Sequence, residues 1–137
     1  MLRNFMLALA VIAGVGTVYL GTAAGPAQAA SHTEVLKSGK FSGLSDHVTT
    51  GGVSIIETAS GYIAVLETDF SLDGAPAPSL GFGNNATFDK ATEFTKLDAN
   101  TGLQVYAIPA GINPADFSEF YVWCADFTVP LGVANLK

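Results

Sequence analysis

The chain has one cysteine, Cys124, and one arginine, Arg3, in 137 residues. A single cysteine excludes a disulfide within the chain and a dithiol cycle run without a second component. One cysteine with His32 and His47 falls short of the four ligands of a structural zinc site. Beyond residue 29, positive charge rests on five lysines against 12 acids, which leaves a formal charge of −7. That balance excludes the phosphate neutralisation on which nucleic-acid binding depends, and it opposes anionic membrane surfaces. No cysteine stands near the N-terminal apolar run, so a lipid-anchored lipoprotein is excluded as well. Repeats and low-complexity tracts are absent. So is any nucleophile–histidine–acid set or assignable carboxylate pair that would point to a hydrolytic enzyme.

The apolar run itself reads as an export signal. Arg3 supplies one charge, Phe5 to Leu20 is almost wholly apolar, and no charge follows Arg3 until Glu34. Ala27-Gln28-Ala29 places small residues where a signal peptidase cuts. The reading is a signal peptide over residues 1–29, a flexible leader over 30–36, and one domain over 37–137. The protein would then be periplasmic or extracellular, with no membrane contact after cleavage. The competing reading is an uncleaved anchor, since Phe5 to Ala24 is long enough to span a bilayer. Gly14, Gly16, Gly21 and Pro26 favour the signal peptide.

The rest of the chain reads as all-β. Short β-branched and aromatic runs are separated by Gly, Pro, Asn and Asp clusters. The pattern predicts a single antiparallel β-sandwich or barrel of about seven to nine short strands. Lys40 to Leu44 is a weak strand. Val53–Thr58 and Tyr62–Phe70 flank the turn signal Ser60-Gly61 and form a hairpin. Leu80 and Phe82 read as a short edge strand. Ala91 to Leu97 fits a helical turn or a strand. Leu103 to Ile108 is a strand closed by Pro109, and Leu131 to Leu136 a final short one. The longest strand is Phe120–Val129. Its face of Tyr121, Trp123, Ala125, Phe127 and Val129 is apolar throughout and is expected to meet the core. Cys124 would then share the other face with Asp126.

Three groups of residues carry possible chemistry. Cys124, alone in an exported chain, is a buried passive thiol, an intermolecular partner, or a reactive redox or metal- or haem-binding group. The thiolate is the reactive form, and the local sequence offers no cation to favour it. Glu67, Asp69 and Asp73 cluster near one strand end, where loop carbonyls would complete a calcium site. The plainer alternative is an acidic edge that discourages pairing between molecules. His47 and Trp123 are possible neighbours of the thiol. Their ordinary readings are a hydrogen-bonded loop histidine and a core tryptophan.

In order and spacing, a series of short blocks resembles the electron-transfer DM-thirteen domain family. They begin with Gly39-Lys40-Phe41, His47, Thr50-Gly51-Gly52-Val53 and Leu66-Glu67-Thr68-Asp69-Phe70. Ala77-Pro78-Ser79-Leu80 and the run Gly102 to Pro109 follow. Val122-Trp123-Cys124 and a tail with Phe127, Val129, Gly132, Ala134 and Leu136 complete the series. This β-rich domain occurs alone in bacterial exported proteins and beside DOMON domains in Skeletor-type proteins. The resemblance implies electron transfer through the cysteine, which maps onto Cys124, and hence a redox partner protein. These residues do not identify a cofactor. The family's Gly-Pro-Asp-Leu loop is altered here, with Ala77 at the Gly position and Ser79 at the Asp position. The alternative to electron transfer is a non-catalytic binding or adhesion module with a structural cysteine.

Overall fold

A computed structural model describes residues 31–137, together with Gly21 and Gly25. Apart from those two glycines, the expected signal peptide therefore lies outside the described residues. No helix among those described is long and apolar enough to cross a membrane. The chain is all-β. Its strands are β1 (Thr33–Gly43), β2 (Thr49–Thr50), β3 (Gly52–Thr58), β4 (Gly61–Leu66), β5 (Ser71–Leu72) and β6 (Pro78–Asn84). They continue as β7 (Thr87–Phe88), β8 (Thr95–Lys96), β9 (Gln104–Ala107), β10 (Glu119–Cys124) and β11 (Val129–Asn135).

One antiparallel sheet runs in the order β7-β6-β10-β11-β1-β3-β4-β9, with β8 also on β6, and curls into a half-barrel. Strands β2 and β5 form a separate two-stranded patch. The curl brings the inward faces together. Val53 and Ile55 of β3 meet Ala64 and Leu66 of β4, and all four are buried. At the other side Phe82 packs edge-on against Phe120 at 5.0 Å, and Phe41 does so against Phe70 at 5.5 Å. Burial of each such side chain stabilises the fold by roughly 1.5–3 kcal/mol.

Strand β1 joins the two halves. Its first part pairs with β3, from Thr33↔Thr58 to Lys40↔Gly52, and its last three residues pair with β11. Residues 33–36 are thus paired strand and not part of the flexible leader expected over 30–36. The pairing with Glu57 and Ile56 supplies order that their own sequence lacks.

Other expectations also shift. The hairpin at Ser60-Gly61 forms, with Gly61 at φ 128°, a conformation that favours glycine. Its second strand ends at Leu66, because Glu67 to Phe70 turn: the Phe70 N–H donates to Glu67 O at 3.0 Å. Leu80 and Phe82 lie on β6, an interior strand held by β10 on one side and by β7 and β8 on the other. Ala91 to Leu97 is both elements in turn, the end of a one-turn helix (Lys90–Thr92) followed by β8.

Candidate functional site

Strand β10 positions the candidate thiol. Its six residues, Glu-Phe-Tyr-Val-Trp-Cys, pair with β6 from Glu119↔Gly83 to Cys124↔Pro78 and with β11 from Glu119↔Asn135 to Cys124↔Val129. Between paired neighbours on both sides, alternate side chains point to opposite faces. Phe120, Val122 and Cys124 face the core cluster. Glu119, Tyr121 and Trp123 take the other face. This reverses the face expected to be buried.

The reversal has a local cause. The strand stops at Cys124, and Ala125 to Thr128 form the turn to β11, with Thr128 at φ 53°. Ala125, Phe127 and Val129 therefore do not extend an apolar face of β10, and Phe127 is 66 % exposed. Asp126 sits in the exposed turn and not beside Cys124 on a strand face. The register irregularity between Val122 and Trp123 lies on the β11 side, while pairing to β6 stays regular.

Cys124 is free, 1 % exposed, and part of the core. Its Sγ donates to the Pro76 carbonyl at 3.1 Å. The next residue is fixed in the same loop, since the Ala125 N–H donates to Ala77 O at 3.2 Å. Residues 73–77 thus cover the thiol. Gly74 has φ 110°, and Ala77 has φ 44°, in the left-handed region that disfavours a side chain. Ala77 stands where the resembled loop has glycine, and that backbone angle is the physical reason glycine suits the position. The cover is pinned at Asp73, which accepts from His47 Nδ1 at 2.9 Å and from the Val48 N–H at 3.0 Å. The Val48 amide, then the imidazole, hold the Asp73 carboxyl below the usual carboxylate range.

The structure brings the other candidates to different places. His47 bonds Asp73 at the base of the cover, three residues before the thiol's partner Pro76. Asp69 accepts from Lys40 Nζ at 2.8 Å and from the Gly52 N–H at 2.9 Å, and both hold its carboxyl low. Glu67 accepts from Ser54 Oγ at 2.7 Å. Among the described residues, no three His, Cys, Asp or Glu gather as a metal site. Glu67, Asp69 and Asp73 therefore do not form the expected calcium cluster, because each already serves a separate backbone or side-chain donor. No pocket is found among the described residues.

Trp123 lies behind the thiol on the outer face. Its ring stacks on Phe88 at 4.3 Å and 14° between planes. Its Nε1 is buried without a hydrogen-bond partner. Ser79, opposite it on β6, donates to Glu93 Oε1 at 2.7 Å. The altered family acid position therefore shares the face of Trp123 and not that of Cys124.

One feature beside these residues is not among the candidates that the sequence offers. Glu119 is buried, at 7 % exposure, on the same face as Tyr121. Its Oε2 accepts from Tyr121 Oη at 3.0 Å and its Oε1 accepts from the Ala86 N–H at 2.8 Å. An acid two residues before a tyrosine at the start of an apolar strand is the signal that would have found it, since i and i+2 share a face.

The family model described as Electron transfer DM13 matches residues 40–136, well over half of the chain. No curated protein and no solved structure matches the chain.

Proposed function

The chain belongs to the electron transfer DM13 family, and on that premise we propose that it is an exported redox accessory domain in which Cys124 is a covered, intermittently exposed thiol. The observation that carries the reading is that Sγ donates to the carbonyl of Pro76, in a loop outside the strands that is tied down on either side of it, at Asp73 and Ala77. Such surface loops open locally at a free energy below that of global unfolding. Opening exposes the thiol without dismantling the sheet.

Once exposed, the thiolate attacks a disulfide of a partner protein. A mixed disulfide forms, and the partner's other sulfur leaves as a thiolate that takes up a proton. A dithiol of a second partner then resolves the mixed disulfide in two exchanges. Its first thiolate attacks the Cys124 sulfur and releases the first partner's remaining thiol. Its second displaces Cys124 as thiolate and closes the donor's own disulfide, so that two electrons have passed from the second partner to the first. One cysteine cannot complete this cycle alone, so the reading requires an exported partner with its own thiol pair.

The second reading, a binding or adhesion module with a structural cysteine, is favoured by the burial of Cys124 and the absence of a bonded cation at its sulfur. Alkylation of folded protein across a denaturant series separates the two. Labelling that is slow but independent of low denaturant reports local opening of the cover and supports the redox reading. Labelling that follows global unfolding throughout would establish the structural cysteine instead.

A further inference from the structure

The outer face of β10 holds a buried acid with no cation bonded to it, and the fold alone accounts for only half of its contacts. Glu119 Oε1 serves the β6–β7 turn by accepting from the Ala86 N–H, where Asn85 and Ala86 have φ of 54° and 60°. Oε2 does nothing for the backbone. It accepts from the Tyr121 phenol at 3.0 Å. Tyr121 is 2 % exposed, and its ring meets Phe88 edge-on at 5.6 Å. Phe88 in turn stacks on the partly buried Trp123. A tyrosine with a carboxylate on its hydroxyl is thus connected through a phenylalanine to a tryptophan that reaches solvent.

We propose that Tyr121 and Glu119 form a second redox site, in which Tyr121 gives up one electron through Trp123 while its phenolic proton passes to Glu119. The oxidant is a high-potential one-electron metal centre of a partner, docking over Trp123. The metal ion is reduced by one electron, Tyr121 becomes a neutral phenoxyl radical, and Glu119 changes from carboxylate to carboxylic acid. The proton moves only between hydrogen-bonded oxygens, so no charge is created at the buried ring.

Three observations favour this pair. Burial, and then the Glu119 carboxylate, raise the Tyr121 phenol to about 12, so it is protonated at neutral pH and must lose a proton when oxidised. Tyr106, also buried, donates to the neutral Gln104 Oε1, which is a poor proton acceptor. Trp123 Nε1 has no partner to take its proton, so an indole radical formed there stays strongly oxidising and is refilled from Tyr121.

The inference rests on the electron-transfer reading but not on Cys124. The test is flash oxidation of the full chain by photogenerated ruthenium(III) tris-bipyridine, read by electron paramagnetic resonance and transient absorbance. A tyrosyl radical is expected in the wild type and equally in Cys124→Ser. Tyr121→Phe removes it and leaves an indole radical. Glu119→Gln still accepts from the Ala86 N–H, and slows tyrosyl formation roughly a hundredfold, the low end for loss of a positioned proton acceptor. The wild type shows a solvent deuterium isotope effect that Glu119→Gln changes. A tyrosyl signal that survives Tyr121→Phe overturns the proposal, as does an unchanged rate in Glu119→Gln. A signal lost in Cys124→Ser would overturn it too, by making formation of the radical depend on the thiol. Alkylation results on Cys124 leave all of these outcomes unaffected.

Discussion

The two faces of β10 differ in what covers them. Phe120, Val122 and Cys124 look into the half-barrel, where Phe41, Phe82 and Leu131 close around them and the segment at Pro76 shields the sulfur. Glu119, Tyr121 and Trp123 look outward and are covered by a two-residue strand, one phenylalanine ring and a turn. On the proposed reading, atoms would reach the inner face only when a loop lifts, whereas electrons would reach the outer face through a thin aromatic layer without any motion. One strand would then carry a thiol chemistry that needs opening and an aromatic chemistry that does not.

The sharpest test of this contrast is to remove a ring from each face. Phe120→Ala should destabilise the fold by about 4 kcal/mol, as for other fully buried aromatics, whereas Phe88→Ala on the partly covered side should lose about half that. Denaturant unfolding of both variants measures the difference, and equal losses would mean that the outer layer is core in its own right. Gly83→Ala comes next. A Cβ there would lie 2.2 Å from Thr87 O and 2.7 Å from the Tyr121 ring, so it should cost about 2–3 kcal/mol by overpacking. The loss should fall on the outer face, seen as quenched or shifted Trp123 fluorescence with unchanged alkylation of Cys124 in the folded state.

Alkali distinguishes the faces by charge. The Tyr121 phenol is raised from 10.0 to about 12, so the folded state prefers it protonated. Its stabilising contribution is whole below pH 10 and is lost as pH rises through about 12. Tyr121→Phe should flatten the stability profile over that window, leaving the smaller slope from Tyr106, which burial also raises. Thermal unfolding between these pH values checks it. The smallest effect is expected at the cover. Ala77→Gly relieves a left-handed backbone by about 1 kcal/mol but gives back a similar amount in unfolded-chain entropy. Net stability should hardly change, while the labelling rate of Cys124 shifts with the cover's own conformation.

Much of this was legible in the residues. The hairpin around Ser60-Gly61, the all-β class and the placing of the lone thiol on a strand all follow from alternation and turn chemistry. The faces of β10 did not follow, because both are covered: Phe120 and Tyr121 are equally sunk, so a period of two carries no information about which side is the core. The strand's end was hidden too, since Phe127 and Val129 continue an apolar pattern through a turn that contains neither Gly nor Pro. Interior β6 read as an edge because Pro78, Gly81 and Gly83 look like breakers. Both glycines are needed for close approach, to the Phe88 ring and to Thr87 O. The partnership of Glu119 with Tyr121 is not legible for a simpler reason: a single acid at a strand's start ordinarily reads as solvated.

Strand β1 has a consequence in time. Its first residues pair with β3, which follows closely in the chain, but Phe41↔Ala134 joins positions about ninety residues apart, and such distant pairings slow folding. A polypeptide emerging N-terminus first would assemble β1, β3 and β4 early, then wait with the end of β1 unpaired until the β10–β11 hairpin arrives. During that interval the exposed edge is open to any passing strand. The step that commits this domain to its native state is therefore the closing of a seam by its last-made residues.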